Sequence, residues 1–202
     1  MYKKLFKRVI DLIFSVMSLP ILVLLFLFLS PLIYFEDKGT ILYKSARLGK
    51  EGKLFTMYKF RTMKMYAPDL RNAEGSTFNS EKDERMTKIG KILRKISFDE
   101  IPQLVNVLKG DMSIIGPRPD LPEALNIYTL SQKEKLKVRP GITGYNQAYF
   151  RNSASFNEKM KNDVFYVNNL SFILDMKILL KSINTVIFKK NIYNSRKDKS
   201  ND

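Results

Sequence analysis

The longest apolar run in the chain extends from Leu12 to Phe35 and contains no charged residue. As a continuous helix it would be about 36 Å long, enough to span a hydrocarbon core of about 30 Å. Pro20 lies inside the run and predicts a kink or a break. A helix broken near its middle has limbs of roughly 18 Å, which are too short to cross. Two interpretations follow: a single spanning helix, or a re-entrant helix-break-helix with its membrane hinge at Pro20.

The charges on either side of this run favour the re-entrant interpretation. Both flanks are rich in basic residues: Lys3, Lys4, Lys7 and Arg8 before it, and Lys38, Lys44, Arg47, Lys50, Lys53 and Lys59 after it. Because basic flanks prefer the cytoplasmic side, both ends of the run are expected on that face. No small-residue cleavage site follows the run, which argues against a signal peptide.

Elsewhere the apolar spacing predicts a mainly α chain with a small β element. Helical periodicity appears around residues 89–96, in residues 120–137 and from Leu170 to Phe188, the last as a core helix or an interfacial one. Short extended segments are predicted at residues 40–43, 54–63 and 114–115, with a turn at Arg47-Leu48-Gly49. The polar residues from Met65 to Asp83 predict a long loop of the kind that often forms a lid.

The most informative stretch is Ser97-Phe98-Asp99-Glu100-Ile101-Pro102-Gln103. Ser97 and Glu100 match a capping box, and apolar residues at helical spacing follow from Ile101. The position of Pro102 favours an N-cap near Asp99 instead. Either register places Asp99 and Glu100 at the positive end of a helix dipole, where a carboxylate or phosphate is stabilised. The simpler alternative is that Asp99 only caps the helix and Glu100 is solvated.

Basic groups lie on both sides of this stretch. Arg94 precedes Asp99 by five residues, and Arg118 follows within Gly116-Pro117-Arg118-Pro119. The two prolines stiffen the backbone around Arg118, so its guanidinium suits bidentate phosphate recognition, although a proline-rich turn with a solvated arginine would have the same sequence. The turn Arg139-Pro140-Gly141-Ile142-Thr143-Gly144 has backbone N–H groups that could approach a phosphate.

Composition restricts the available chemistry. The 202 residues include 35 Lys and Arg against 20 Asp and Glu, giving a formal charge of +15. Such a charge fits nucleic acid, an anionic membrane face or phosphorylated substrates. Cys and His are absent, so a nucleophile or base must be Asp, Glu, Lys, Tyr or Ser. A metal site would have oxygen ligands, which suit Mg²⁺ better than Zn²⁺.

Five motifs occur in an order and spacing that resemble the bacterial sugar transferase family, the small monotopic phosphoglycosyl transferases. They are Lys59-Phe60-Arg61-Thr62-Met63, residues 97–103, residues 106–113, residues 116–119 and residues 139–144. The resemblance extends from about Lys7 to about Lys190. It implies a basic N-terminus and re-entrant membrane helix over residues 1–36, a compact membrane-associated α/β catalytic domain with amphipathic interfacial helices over residues 37–190, and a polar tail over residues 191–202. It also implies the cytoplasmic face of the bacterial inner membrane.

The resemblance implies a reaction as well. A phospho-sugar passes from a UDP-sugar to polyprenyl (undecaprenyl) phosphate, with release of UMP, as the first membrane step of glycoconjugate assembly. Asp99 is expected to be the nucleophile that forms a covalent phosphosugar intermediate. Glu100 is expected to assist by binding Mg²⁺ or by transferring a proton, and Asp99 and Glu100 together are the expected Mg²⁺ ligands. Membrane lipid and other enzymes of a glycan pathway are the further expected partners.

Several other residues receive roles from the resemblance. Lys59, Arg94, Arg118 and Arg151 are expected to bind substrate phosphates, and Thr143, Gly144 and Asn152 to contact the nucleotide or sugar. Asp163 matches an acidic position of the family and is expected to hold an arginine in place. The basic cluster from Lys133 to Lys137 is expected to be a solvated face.

Two other functional classes fit parts of the sequence. A membrane-tethered nucleic-acid-binding module would account for the +15 charge. It leaves the Asp99-Glu100 pair and residues 116–119 unexplained, so no nucleic-acid partner is expected. A catalytically silent membrane scaffold of the same fold would retain the motifs without using them. The presence of Arg94, Asp99, Glu100 and Arg118 favours the enzyme.

Overall fold

The computed structural model describes residues 2–70, 80, 83–150 and 154–187. Seven α-helices are found in this part of the chain: α1 Lys7–Met17, α2 Leu19–Asp37, α3 Lys88–Lys95, α4 Gln103–Lys109, α5 Tyr145–Tyr149, α6 Phe156–Asn168 and α7 Phe172–Ile187. Four strands form two small sheets: β1 Leu42–Leu48 with β2 Leu54–Phe60, and β3 Ser113–Ile115 with β4 Gly141–Thr143. The mainly α class with a small β element is confirmed.

The apolar N-terminal run is divided at Ser18. α1 ends at Met17 and α2 begins at Leu19, which puts Pro20 in the first turn of α2, where a helix tolerates the missing N–H. Pro31 lies inside α2 without ending it. Within the described residues, α2 is the only helix long and apolar enough to cross a membrane, and most of its side chains are exposed. The membrane hinge at Pro20 stays a prediction.

α1 packs against the rest of the protein through a polar face. Lys7 forms an ion pair with Asp175 of α7 at 2.7 Å, and the Arg8 guanidinium donates to the carbonyl oxygens of Val107 and Leu108 at 2.6 and 3.1 Å. Asp11 accepts hydrogen bonds from the Ser113 hydroxyl and the Ile114 amide. The first helix is therefore attached to α4, β3 and α7.

α2 also lies against the rest of the described chain, at the middle of the helix and at its end. Phe26 stacks on Phe60 of β2 with ring centroids 5.1 Å apart. Asp37 pairs with Arg61 at 2.6 Å, and Glu36 accepts hydrogen bonds from the first two backbone amides of α3. Arg61, which belongs to the predicted Lys59–Met63 motif, thus holds the end of α2 rather than facing the carboxylates.

The antiparallel hairpin of β1 and β2 differs from the predicted turn positions. Arg47 and Leu48 are strand residues paired with Phe55 and Leu54, and the reversal occurs at residues 50–52. Gly52 provides the positive φ of 75° that this tight turn needs. Because paired residues share a face, Arg47, Met57 and Lys59 lie on the same side of the hairpin.

The second sheet corrects the predicted glycine turn at residues 139–144. Gly141–Thr143 is a strand, parallel to β3, and the Gly141 amide donates to the Pro117 carbonyl at 2.9 Å. One of the N–H groups expected to approach a phosphate, that of Gly141, is thus used in a hydrogen bond within the fold. Residues 120–137 form two 3₁₀ helices, Pro122–Asn126 and Gln132–Lys137, rather than one α-helix. The central core packs α5, α6 and α7 around Tyr166 and Ile178.

Candidate active site

The two adjacent carboxylates lie in a short 3₁₀ turn, Phe98–Glu100, between α3 and α4. Ser97 has a left-handed backbone with φ 59°, and its side chain caps nothing, so the predicted capping box is wrong. An N-cap needs an extended backbone, which Ser97 does not have. The preferred N-cap near Asp99 is also wrong, because α4 begins only at Gln103, after Pro102. The carboxylates precede the helix by one further turn.

Asp99 is buried and has no bonding partner in the described structure. The residue is 8% exposed, and no described side chain or backbone group donates a hydrogen bond to its carboxylate. Burial raises the pKa of Asp99 to about 6, with a further contribution from Glu100, while Lys59, Arg94 and Arg118 oppose the rise. The group is thus largely ionised at neutral pH and not held by a neighbour, as a nucleophile should be.

Glu100 has the opposite environment. Its Oε1 lies 2.5 Å from Lys59 Nζ and 3.6 Å from an Arg118 guanidinium nitrogen, and its side chain is 22% exposed. Burial alone would raise the pKa of Glu100, but Lys59 and Arg118 outweigh it and bring the pKa down to about 2. The structure therefore gives the two adjacent carboxylates different environments.

Arg94, on α3, lies close enough to Asp99 to lower its pKa. Its Nε donates to the Thr62 hydroxyl at 3.0 Å, which fixes the direction of the guanidinium. The helix itself is held close to the strand edge, because a Cβ on Gly90 would lie only 2.1 Å from the Thr62 carbonyl oxygen. Thr87 caps α3 by accepting from the Gly90 amide. The predicted proximity of Arg94 and Asp99 thus depends on Gly90 and Thr62.

A buried lysine supports the loop that carries Arg118. Lys135 is 4% exposed, and its ammonium group contacts Asp120 at 2.5 Å and Asp163 at 2.7 Å and donates to the Arg118 carbonyl at 3.3 Å. Burial opposes the charge, but Asp163 and Asp120 raise the pKa of Lys135 above its usual value. The prediction of a solvated basic face is therefore wrong at Lys135, and Asp163 holds a lysine rather than an arginine.

The remaining predicted contact residues either pack within the fold or lie outside the described residues. The Thr143 hydroxyl is 2.7 Å from the Ser182 hydroxyl of α7. Gly144 packs so closely that a Cβ would lie 2.1 Å from the Gly116 carbonyl oxygen. Arg151 and Asn152 lie outside the described residues, as do residues 71–79, 81 and 82 of the predicted lid loop.

A cleft opens beside Glu100. Its lining includes Lys59 and Arg118, which the sequence predicted, and Arg47 and Gln103, which it did not. Arg47 could have been found from the register of the hairpin, which puts it on the same face as Lys59. The predicted turn at residues 47–49 excluded that register. Gln103 had no signal beyond its place at the end of the motif. The cleft has three cationic side chains and one carboxylate among its lining residues, so it suits an anion.

The same residues bear on a divalent cation. No group of three or more acidic side chains suitable for a metal occurs in the described residues. Asp99 and Glu100 nevertheless provide adjacent oxygen donors, and Mg²⁺ commonly takes one or two carboxylates and completes its shell with substrate phosphates and water. The donor set fits Mg²⁺ when a phosphorylated substrate is bound.

The site thus has one unbonded carboxylate beside three cations, an arrangement that suits an anionic substrate. Comparison with known proteins agrees. The family described as "Bacterial sugar transferase" matches residues 2–189, and the chain belongs to this family. The predicted family and the predicted enzyme class, phosphoglycosyl transferase, are confirmed.

Individual relatives cover the chain almost completely. A Bacillus subtilis protein named "Uncharacterized sugar transferase EpsL" is 41% identical over 92% of this chain and 89% of its own length. The Salmonella typhimurium undecaprenyl-phosphate galactose phosphotransferase is 36% identical over 93% of this chain. The Aeromonas hydrophila UDP-N-acetylgalactosamine-undecaprenyl-phosphate N-acetylgalactosaminephosphotransferase is 35% identical over 90%. The matches span only 41% and 43% of the lengths of these last two relatives.

Proposed function

We propose that this protein transfers a sugar phosphate from a UDP-sugar to polyprenyl phosphate, with undecaprenyl phosphate as the acceptor, and releases UMP. Two relatives carry names that state transfer to undecaprenyl phosphate. The observation that carries the proposal is the Asp99 carboxylate, which is buried and without a hydrogen-bond partner in the described residues. It lies in the same turn as Glu100, which lines the cationic cleft.

In the first half-reaction, an oxygen of Asp99 attacks the β-phosphorus of the donor. The bond between that phosphorus and the bridging oxygen breaks, and UMP leaves with the electron pair. An acyl phosphate joins Asp99 to the sugar phosphate. A carboxylate approaching a diphosphate is repelled by its charge, and Lys59, Arg94 and Arg118 offset this repulsion at the start and stabilise the charge that develops on UMP.

In the second half-reaction, a phosphate oxygen of the polyprenyl phosphate attacks the same phosphorus. The bond to Asp99 breaks, and the free carboxylate returns as the polyprenyl-diphosphate sugar forms. Water would release the sugar phosphate unproductively, so the site must limit its access during this interval. The burial of Asp99 serves that purpose.

Asp99 and Glu100 would hold Mg²⁺ together with phosphate oxygens of the donor, and the ion would supply charge neutralisation and Lewis acidity there. Glu100 also has a second role, because it pairs with Lys59 and Arg118. It holds the two cations at the cleft in the absence of substrate. An anionic donor can then take over these cations when it enters.

The lipid acceptor requires the site to lie near a membrane surface. Both α1 and the end of α2 are attached to the catalytic body, and Phe26 in the middle of α2 contacts β2. These contacts support a re-entrant, monotopic arrangement, because a helix spanning the membrane would separate its two ends on opposite faces. The exposed side of α2 carries Leu24, Leu27 and Phe28 for contact with lipid. The flanking lysines and arginines support a position of the body on the cytoplasmic face.

The test is UMP release by the full chain in phospholipid nanodiscs with Mg²⁺, a panel of UDP-sugars and undecaprenyl phosphate. The proposal would be supported if UMP release requires Asp99 and is faster with one UDP-sugar than with the others. A radiolabelled sugar phosphate bound to the protein when acceptor is omitted would support the covalent step. No release from any donor by folded, membrane-bound protein would contradict the proposal and favour a silent scaffold.

A further inference from the structure

The side chain of Gln103 is buried at the wall of the cationic cleft without a protein partner. The residue is 2% exposed, begins α4 and lines the cleft together with Lys59, Glu100 and Arg118. In the described part of the chain, no group hydrogen-bonds to its amide. Its amide atoms are not among the fully enclosed polar atoms that lack a partner, so they open into the cleft, where a ligand can reach them.

A second amide of the same helix shows how a structural residue differs. Asn106 is fully buried, accepts from the Tyr58 amide at 3.1 Å and donates to the Thr56 carbonyl at 2.7 Å. It also lies 3.3 Å from Asp111. Asn106 thus fixes α4 beneath the hairpin with its hydrogen-bonding capacity in use. Gln103 leaves its capacity to the cleft.

The lining of the cleft indicates what Gln103 meets there. Arg47, Lys59 and Arg118 can only donate hydrogen bonds, and the one carboxylate, Glu100, already accepts from Lys59. A ligand that enters such a wall must supply several acceptor oxygens and negative charge. A diphosphate has both. Of the two polar atoms in the Gln103 side chain, the amide nitrogen is the one that can donate to it.

We propose that Gln103 donates a hydrogen bond from Nε2 to a phosphate oxygen of the donor's diphosphate, and so binds the substrate within the cleft. The proposal deepens the proposed function and rests on it for the identity of the donor. The contact itself needs only a diphosphate in the cleft. It can therefore be measured by binding as well as by turnover.

The first measurement is UMP release by the full chain in nanodiscs, comparing wild type with Gln103→Met and Gln103→Glu. Methionine removes the hydrogen bond at similar volume, and we expect a fall of about 10- to 100-fold in kcat/KM for the UDP-sugar. Glutamate sets a like charge against the phosphate, so its fall must be larger than that of methionine. If the kcat/KM of Gln103→Glu equals or exceeds that of Gln103→Met, the partner is a hydroxyl group and the proposal is overturned.

The second measurement is binding of inorganic pyrophosphate by calorimetry, which requires no turnover. We expect Gln103→Met to weaken binding about 10-fold or more, while thermal stability stays unchanged or rises because no protein hydrogen bond is lost. Gln132→Met is the matched control. The side-chain oxygen Oε1 of Gln132 accepts a hydrogen bond from the Thr129 backbone amide within its own turn, so this substitution should leave pyrophosphate binding unchanged. Equal binding by wild type and Gln103→Met, or no binding by either, would overturn the proposal.

The two measurements separate the two possible failures. If pyrophosphate binding depends on Gln103 but no UDP-sugar yields UMP, the contact stands and the proposed transferase reaction fails. If UMP is released equally by wild type and both variants, the reaction stands and the role of Gln103 fails. A loss of thermal stability in Gln103→Met, with unchanged pyrophosphate affinity, would identify Gln103 as a structural residue.

Discussion

The ammonium group of Lys59 lies 2.5 Å from Oε1 of Glu100, so the lysine nearest to the two carboxylates is paired with the second of them. Asp99, its immediate neighbour in sequence, has no hydrogen-bond partner among the described residues. Two adjacent acids thus have pKa values of about 6 and about 2. Pairs of acids whose environments separate their pKa values commonly divide the chemistry between them.

Replacing Asp99 by Asn should abolish activity and stabilise the fold. We expect UMP release to fall at least about 1000-fold, because the nucleophile is lost. The folded-state pKa of Asp99 is raised from 3.8 to about 6, so ionising it costs stability on the order of 1 to 3 kcal/mol at pH 7. Thermal unfolding should therefore show a higher Tm for Asp99→Asn at neutral pH.

The pH dependence of that difference provides its control. The contribution of Asp99 to wild-type stability should fall as pH rises from about 4 to about 7, because the unfolded chain releases the Asp99 proton at lower pH than the folded chain. Asp99→Asn should lack this component, and the two curves should converge near pH 4. A constant Tm difference across this range would contradict the raised pKa of Asp99.

The pH profile of activity should follow the ionisation of Asp99. The kcat/KM for UMP release should rise with pH and level off above an apparent pKa of about 6. Lys59 lowers the pKa of Asp99, so Lys59→Met should move this limb to higher pH as well as reduce the rate. An unchanged limb in Lys59→Met would mean that a different group controls the profile.

Lys135 and Lys137 lie in the same 3₁₀ helix and should differ sharply. Lys135→Met leaves the buried Asp163 and the partly buried Asp120 without their cation, so we expect a loss of about 3 to 5 kcal/mol in denaturant unfolding. Lys137 forms only an exposed pair with Glu134, and Lys137→Met should change stability by less than about 0.5 kcal/mol. Equal effects of the two substitutions would argue against the buried pairing.

Gly90→Ala should disturb the site from outside it. The added Cβ would meet the Thr62 carbonyl oxygen at 2.1 Å, so α3 must move away from the strand edge. Because Thr62 orients Arg94, we expect about 1 to 3 kcal/mol of destabilisation together with a rise in KM for the donor. Lys91→Ala, at an exposed position of the same helix, should change neither quantity.

Site residues could be predicted from the sequence where a motif gave both the residue type and the residues expected near it. The structure brings Lys59, Arg94, Asp99, Glu100 and Arg118 to one place, although their chemical roles stay predictions. The difference in pKa between Asp99 and Glu100 was not predictable, because it depends on which of the two carboxylates pairs with Lys59, and Lys59 lies 41 residues before Glu100 in the sequence. Residue spacing along one segment has no information about such a contact.

The errors in the fold have physical causes. Lys135 belongs to a basic cluster whose periodicity suggests a solvated face, and only the packing of α6 brings Asp163 against it. The glycines at residues 141 and 144 suggested a free turn, but their lack of Cβ atoms serves close packing against Gly116. The helix start after Asp99 was misplaced because the left-handed Ser97 has no signature in the sequence.

The attachment of α1 has a consequence for the order in which the chain is assembled. Lys7 pairs with Asp175, 168 residues further along, so its partner leaves the ribosome roughly 8 to 34 s later at about 5 to 20 residues per second. α2 follows α1 and is complete long before α7 exists. Lys7 of the newly made N-terminus must therefore wait for its partner, and α7 completes the contacts of α1.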